Sequence, residues 1–539
     1  MTLCCLLSFI TAASGNPEHM GIPQAQTDTP IGKATANDNW HWLWAIALAA
    51  IAFAFRLVPV LRGGGLFGLG NYDDGVYYAA ATGLVHGRLP YQDFLLLHPP
   101  GMLLLLMPFA LGAQLASDSY GFAAARVAWM LLGALNAVLV WRILKPIGLV
   151  AALLGGLSYA VFYPAVYADK STLLESPATT ALLLAIILLE PVARASSLPR
   201  GRAIAAGALL GFAVTIKVWG VVTVLIVLGW LLLARRFRGA WHVLVASALT
   251  AALICLPFFA TAPTAMWNQI VRDQLFRRGG NDVTLIWRLD EIVGLGIVGR
   301  PHFAITLVAV FALLCCAALA WSYREARLAV LLFLGQTAFL LVTPTWFAHF
   351  AGFTAAPVAL VVGAAIGRVI ALVRARPAQI AVGVVTAGAL AVYASGWSDI
   401  TFGRQFPSNF RSLTVSAPGC VTSDDATALI ATDTLSRNLS RGCRFIADLG
   451  GNSHDLAAAA GVAVSRNRNK VFQRFAISYL RTGSVTILMR YSDGRGFNAK
   501  TTAALDRWPL LARSGRYQVR QPVEPGLSAM RGSPKPQRR

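Results

Sequence analysis

Long apolar stretches follow one another along the chain as far as residue 396, and each is long enough to cross a lipid bilayer. A hydrocarbon core about 30 Å thick needs about twenty apolar residues in a helix. The pattern predicts an all-α polytopic membrane domain with interfacial helices. Its eleven predicted spans are 41–60, 122–143, 147–165, 173–192, 203–218, 220–234, 242–261, 303–321, 326–344, 349–371 and 378–396.

The apolar segment 102–116 is too short for a regular span. It contains Pro108 and follows the sequence HPPG, whose prolines oppose regular helix. If it is an interfacial or re-entrant helix, the short loops rich in Lys and Arg all fall on one side, which is then cytoplasmic. The amino terminus would also be cytoplasmic. The loops 61–121 and 263–302 and the chain from residue 397 would face outward.

The polar sequence after residue 397 differs in kind from the apolar part. Strand-like runs such as CVTSDD, CRFIADLGG and SVTILMRYSD alternate with helical runs, which is typical of a small α/β domain. A disulfide between Cys420 and Cys443 would suit an oxidising compartment. We expect a disordered or mis-started tail at 1–40, a catalytic membrane domain at 41–396, an extracytoplasmic α/β domain at 397–525 and a disordered tail at 526–539. Met20 is an alternative start to Met1.

Composition supports the membrane class and limits the partners. Of the 539 residues, 56% are hydrophobic and only 13% charged, whereas soluble domains carry about a quarter charged residues. The net charge of +22 is not arranged as a basic stripe with interleaved aromatics, so nucleic acid is not an expected partner. Part of the excess lies in the short loops. The rest lies in the chain from residue 397 onwards, where it favours anionic lipid or an anionic acceptor.

Polar residues are dense in the first outward loop, GNYDDGVYYAAATGLVHGRLPYQDFLLLHPPG at 70–101. Asp73 and Asp74 follow the first span directly, and one could act as general base towards a sugar hydroxyl while the other positions the acceptor or a divalent cation. A solvated turn is the alternative, because Asp beside Gly is common in turns. Tyr77 is expected to anchor a helix along the membrane interface. The candidates for substrate binding in this loop are Tyr77, Arg88, Tyr91, Asp93 and His98.

Further charged residues occur where apolar runs meet the outer face. Asp169, Lys170 and Glu175 are candidates for substrate binding, with a Lys170–Glu175 ion pair as the alternative. Lys217 could hold a lipid phosphate or extend to the interface. The loop after the seventh span offers phosphate-binding or lipid-anchoring arginines, and a span begins at a histidine. These last candidates are Arg272, Arg277 and Arg278 for phosphate, and Gln274 and His349 for substrate.

The Asp73–Asp74 pair, the Tyr77 helix, GRLPYQDF and HPPG resemble motifs of the GT-C superfamily of integral-membrane glycosyltransferases. They are most similar to the branch of protein O-mannosyltransferases and lipid A aminoarabinose transferases. Over the apolar part of the chain, the resemblance lies in the arrangement of the predicted spans. It implies a polyprenyl-phosphate sugar donor, an extracytoplasmic glycan or lipid acceptor, contact with membrane lipid and no obligatory cofactor, with a divalent cation as an alternative. Asp74 stands where the protein mannosyltransferases have Glu, which disfavours a protein acceptor.

The activity expected is inverting transfer of a sugar in a bacterial plasma membrane. The sequence has no Walker, dinucleotide-type glycine or DxD motif on the cytoplasmic side, which agrees with a lipid-borne donor. A chain rich in Ala, Gly and Arg suggests a bacterium of high genomic G+C, and favours arabinose or mannose transfer to a cell-wall glycan. The alternatives are a lipid or solute transporter, although no internal repeat is visible, and a non-catalytic scaffold whose C-terminal domain binds a glycan.

Overall fold

A computed structural model describes residues 41–194, 197–275, 283–296, 302–459, 464–491 and 496–523. The predicted terminal regions 1–40 and 526–539, and the candidates Arg277 and Arg278, lie outside the described residues. From Trp44 onwards the described chain forms one compact unit.

Helices dominate the chain up to residue 395. They are α1 (His41–Arg62), α2 (Tyr72–Val85), α3 (Gly101–Ala113), α4 (Asp118–Leu144), α5 (Leu149–Val161), α6 (Tyr163–Asp169), α7 (Glu175–Ala193), α8 (Arg200–Ile216), α9 (Gly220–Leu233), α10 (Phe237–Thr261), α11 (Pro263–Trp267), α12 (Asp273–Leu275), α13 (Leu285–Ile292), α14 (Phe303–Ala320), α15 (Arg327–Val342), α16 (Gly352–Leu372) and α17 (Arg376–Ser395). A π-helical turn at Asn268–Arg272 and 3-10 turns at Arg324–Ala326 and Ala348–Ala351 complete this part.

Eight helical segments of the described chain are long and apolar enough to cross a membrane, and α5 with α6 makes a ninth if the bent pair is one span. The two halves of that pair meet at an angle of 58°, beside the helix-breaking Pro164. The sequence predicts eleven spans, and the two that are missing from these nine are the ones at α8 and α9. The latter has 14 residues, and a helix of that length reaches only about 21 Å.

Small residues allow the membrane helices to approach closely. A Cβ atom on Gly207 would lie 2.5 Å from the Val243 carbonyl oxygen, and one on Gly211 would lie 2.3 Å from that of Ser247. Helices α8 and α10 therefore pack backbone against backbone, as is common where lipid offers no hydrophobic force between helices.

The chain from Ser408 onwards forms a C-terminal α/β region. Its helices are α18 (Ser408–Val415), α19 (Ala426–Ala431), α20 (Leu435–Ser440), α21 (Leu449–Ala459), α22 (Lys470–Leu480) and α23 (Ala499–Asp506). Its strands are β1 (Val421–Ser423), β2 (Val485–Leu488), β3 (Leu510–Ser514) and β4 (Tyr517–Arg520), in the sheet order β1-β2-β4-β3. Strands β1 and β2 are parallel and the other pairs antiparallel. A disulfide joins Cys420 to Cys443.

Helix α2 lies between the membrane helices and the C-terminal α/β region. It packs on α3 on one side and on α19 on the other. A Cβ on Gly75 would lie 2.1 Å from Thr427 Oγ1, so this close approach requires glycine. The prediction that Tyr77 anchors an exposed interfacial helix is wrong, because Tyr77 is only 4% exposed and the helix is buried on both sides.

Candidate functional site

A cavity of about 850 Å³ lies between the membrane helices and the C-terminal α/β region. Its membrane-side wall includes Asn71, Tyr72 and Asp73 at the start of α2, Tyr167 of α6, and the segment around His349. The opposite wall comes from the C-terminal α/β region. Its polar side chains are Asp448, Ser453, His454, Ser465, Arg466, Asn467, Arg468, Arg490, Tyr491 and Arg516.

Asp73 presents its carboxylate to this cavity. It sits in the first turn of α2, where the partial positive charge of a helix amino terminus favours an anion. Its side chain is 35% exposed, and Oδ2 lies 4.0 Å from Nε2 of the largely buried His349. The imidazole is stacked on Phe347 and meets the edge of Phe350. An accessible carboxylate beside a fixed imidazole can accept a proton from a bound hydroxyl.

Asp74 has a different environment from its neighbour. It is fully buried, and its Oδ2 accepts hydrogen bonds from Arg126 Nε at 3.2 Å and Nη2 at 2.9 Å. Nη1 of Arg126 also donates to the carbonyl oxygens of Gly65, Leu66 and Gly68. This ion pair ties α2 to α4 and to the 63–70 segment. The expectation that both acids face one substrate is therefore not met.

A smaller pocket of about 30 Å³ shares Asp73, Phe347, His349 and Asp448 with the cavity. It extends towards the membrane helices, and we call it the inner pocket. The structure brings together here six candidates from distant parts of the sequence, namely Asp73, Tyr77, His98, Lys217, Gln274 and His349. The Tyr77 ring meets the edge of the His98 ring, and Gln274 Nε2 donates to the Leu97 carbonyl oxygen. These contacts fix the polar edge of the pocket.

Lys217 is the cation of the inner pocket. Its Nζ donates to Glu175 Oε1 at 2.7 Å and lies 3.7 Å from the centre of the Trp219 ring and 4.3 Å from that of Phe350. The alternative of a Lys170–Glu175 ion pair is wrong. Lys170 Nζ instead donates to Asn71 Oδ1 and lies over the Tyr167 ring.

The other candidates lie elsewhere. Asp169 is buried in an ion pair with Arg56 of α1 and accepts a hydrogen bond from Tyr159, so it joins α1 to α6. Arg272 bridges Asp273 and Asp455. A separate groove of about 460 Å³ contains Arg88, Tyr91 and Asp93. There the Tyr91 hydroxyl donates to the His98 carbonyl oxygen and Asp93 accepts from the Leu89 amide.

The residues that sequence reasoning missed are those of the opposite wall. Asp448 lies within the run CRFIADLGG, and its Oδ1 accepts from the Tyr72 hydroxyl at 2.9 Å. That hydroxyl in turn accepts from the Gly450 amide. Charged residues in a polar domain usually lie in solvent, so their types and spacing alone could not place them here. Within the described ranges, no group of three or more His, Cys, Asp or Glu side chains is arranged to hold a metal ion.

Asp424 holds the end of β2 in place. Its carboxylate accepts hydrogen bonds from the amides of Met489, Arg490 and Tyr491. Burial raises the pKa of Asp424 to about 6, and the three amide donors partly offset this rise because they stabilise the ionised carboxylate. Arg490 and Tyr491 line the cavity, and Asp424 therefore sets the position of one part of its wall.

We expect Asp424→Asn to destabilise the chain by about 1–3 kcal/mol, because one acceptor oxygen is replaced by an amide facing backbone donors. Thermal unfolding of the purified full-length chain measures the change. Asp399→Asn, which alters an exposed acid, is the matched control. An unfolding midpoint for Asp424→Asn equal to that of the control would contradict this role.

Comparisons with known proteins agree with the fold. The family model described as Glycosyltransferase family 87 matches residues 96–344, just under half of the chain. ArnT from Cupriavidus metallidurans, solved bound to undecaprenyl phosphate, matches with a TM-score of 0.55 and 14% identity over 90% of this chain and 99% of that chain. AglB from Archaeoglobus fulgidus, an oligosaccharyltransferase solved with an inhibitory peptide and a dolichol-phosphate, matches with a TM-score of 0.53 and 14% identity over 84% of this chain and 69% of that chain.

No protein of curated function matches the chain by sequence. The structural matches confirm the predicted GT-C fold, and together with the family match they support a membrane glycosyltransferase. The family match includes Lys217 and Gln274 of the inner pocket but neither Asp73 nor the C-terminal α/β region.

Proposed function

We propose that this membrane glycosyltransferase of the GT-C fold transfers a sugar from a polyprenyl-phosphate carrier to an acceptor hydroxyl bound in the cavity. One observation carries the proposal. Of two adjacent acids at the start of α2, Asp74 is locked in an ion pair, whereas Asp73 faces a cavity of about 850 Å³ beside His349. The solved structures of ArnT and AglB contain undecaprenyl phosphate and a dolichol-phosphate, which supports a lipid-borne donor.

Asp73 acts as the general base in this proposal. Its carboxylate takes the proton from the acceptor hydroxyl as that oxygen forms a bond to C1 of the sugar. The bond from C1 to the phosphate oxygen breaks in the same step, and the electron pair leaves with the polyprenyl phosphate. His349 is a positioning residue that holds the carboxylate towards the cavity. A single in-line displacement inverts the configuration at C1.

The donor phosphate would lie where the inner pocket opens into the cavity, because the pocket itself, at about 30 Å³, is smaller than a phosphate group. Phosphate gains negative charge as it leaves, so a fixed cation stabilises the transition state more than the ground state. Lys217 supplies that cation, and Glu175 together with the Trp219 and Phe350 rings fixes its position. His98 and Gln274 line the same pocket and add polar contacts. Arg272 is left out of this set because it does not line the inner pocket; its guanidinium binds Asp273 and Asp455.

For the orientation and the substrates we keep the assignments that the sequence predicts as proposals. The Cys420–Cys443 disulfide supports a C-terminal α/β region outside the cytoplasm, because disulfides persist in oxidising compartments. We propose a bacterial plasma-membrane protein that adds arabinose or mannose to a cell-wall glycan.

The proposal is tested with the purified full-length chain and radiolabelled polyprenyl-phosphate arabinose or polyprenyl-phosphate mannose. The acceptor is a cell-envelope extract from a strain that lacks the protein. We expect label to enter a product in which the anomeric configuration is opposite to that of the donor, as read by NMR of the linkage. The matching nucleotide sugars serve as the control and should give no product. Product with retained configuration, or direct use of a nucleotide sugar, would contradict the proposal.

A further inference from the structure

The two walls of the cavity carry opposite charges. Asp73 and Asp448 are its acids, and both lie next to the start of α2. Four arginines of the C-terminal α/β region line the other side, and we call them the arginine wall: Arg466, Arg468, Arg490 and Arg516. Guanidinium groups stay protonated in proteins. Four arginines against two aspartates give the cavity an excess of positive charge.

The arginine wall is assembled from three separate segments. Arg466 and Arg468 precede α22, Arg490 follows β2, and Arg516 lies in the turn between β3 and β4. Like charges collected at one surface repel one another. Their convergence on one cavity therefore points to a ligand that offsets the repulsion.

Local contacts hold two of these side chains in place while both still line the cavity. Arg466 donates from Nε to Ser453 Oγ at 3.1 Å and lies 4.8 Å from the centre of the Tyr491 ring. Arg490 lies 4.3 Å from the centre of the Tyr72 ring. Its Nη1 forms a long ion pair of 3.9 Å with Asp425 Oδ2. The Arg490 side chain is nevertheless 45% exposed, so a ligand in the cavity can reach it.

We infer that the acceptor carries an oxyanion group, phosphate or carboxylate, which the arginine wall binds while the reacting hydroxyl lies at Asp73. This inference rests on the proposed function and adds the chemical class of the acceptor. The planar guanidinium fork matches the geometry of phosphate and carboxylate oxygens. An acceptor held in this way would span the cavity from the arginine wall to the general base.

The donor phosphate has a different place. It is attached to a lipid chain and must be reached from the membrane helices, where the inner pocket lies. The described lining of that pocket includes Lys217 and none of the four arginines. The arginine wall therefore serves the acceptor, and its loss should affect acceptor binding rather than donor binding.

The experiment has two readouts on the full-length chain, with the radiolabelled donor and envelope extract described above. The first is the charge of the product. Because arabinose and mannose are neutral, retention of label on an anion-exchange resin reports the charge of the acceptor. We expect the labelled product to be retained. Aqueous hydrofluoric acid, which removes phosphoryl groups, and carbodiimide reduction, which neutralises carboxyl groups, then identify the anion.

The second readout is the kinetic effect of Arg468→Gln/Arg516→Gln, two exposed positions where substitution should not impair folding. We expect the concentration of extract giving half-maximal rate to rise about tenfold or more, with the donor KM unchanged. Arg481→Gln/Arg507→Gln removes two exposed arginines that do not line the cavity, and is the matched control.

The outcomes separate the two proposals. A neutral labelled product, an unchanged dependence on extract, or a rise in the donor KM would overturn the anionic acceptor and leave the transferase function standing. Absence of any labelled product with either donor would overturn the proposed function, and the inference with it.

Discussion

Asp73→Asn is expected to slow sugar transfer by a factor of about a hundred to ten thousand, the usual effect of removing a positioned general base. The amide keeps the shape of the carboxylate but cannot take the proton of the acceptor hydroxyl. Asp73 has its side chain partly exposed to the cavity, so the substitution leaves no buried charge unpaired. Folding and binding of the lipid carrier should therefore be preserved.

The measurement is transfer from the radiolabelled donor by purified variants, with thermal unfolding recorded in parallel. Asp399→Asn, an exposed acid outside the cavity, is the control and should keep both its rate and its unfolding midpoint. If Asp73→Asn retains a rate near that of the unsubstituted chain, Asp73 is not the base. The interpretation of the chain as a non-catalytic scaffold would then gain support.

The inner pocket was largely predictable because its members are polar residues in an apolar setting. Lys217 and His349 each interrupt an apolar run, and charges in such places are costly enough to indicate function. Asp73, Tyr77 and His98 could be named from the dense polar loop at 70–101, and the resemblance to GT-C motifs then supported them. Their convergence in one pocket could not be calculated from spacing, but each residue could be named beforehand.

The pairing of buried charges was not predictable to the same degree. A charge within a membrane helix must find a partner, yet sequence does not say which. Asp169 pairs with Arg56 across 113 residues, and Glu175 with Lys217 across 42. A pair between Lys170 and Glu175 is the alternative that closeness in sequence suggests. The three-dimensional arrangement of α1 with α6, and of α7 with the end of α8, decides otherwise.

The arginine wall could not be predicted from the sequence. The basic character of the chain after residue 397 suggested an anionic partner, but Arg466, Arg490 and Arg516 resemble any solvated arginines of a polar domain. These arginines line one cavity because of the sheet order, which places the β3–β4 turn beside the end of β2. Strand order joins segments that are distant in sequence, so the pattern of each strand does not reveal it.

Asp74→Asn is expected to lower the stability of the chain by about 3–5 kcal/mol, the usual effect of leaving one member of a buried ion pair without its partner. Asp74 is completely buried and Arg126 is 1% exposed. The asparagine cannot neutralise Arg126, whose Nη1 also holds the carbonyl oxygens of the 63–70 segment. The start of α2, which carries Asp73, should loosen with it.

Asp74→Asn is expected to lose stability, whereas Asp73→Asn is expected to lose only activity. Measuring the unfolding midpoint and the transfer rate of both variants distinguishes the two effects. Asp74→Asn should reduce the unfolding midpoint and the transfer rate together, whereas Asp73→Asn reduces the rate alone. Asp74→Leu/Arg126→Leu is the informative companion, since its unfolding free energy, compared with those of Asp74→Leu and Arg126→Leu, gives the coupling between the two side chains. If Asp74→Asn is as stable as the unsubstituted chain and as slow as Asp73→Asn, then Asp74 takes part in proton transfer and the two acids share the chemistry. The burial of Asp74 and its bonds to Arg126 favour the first result, because a carboxylate closed off from the cavity cannot reach a substrate hydroxyl.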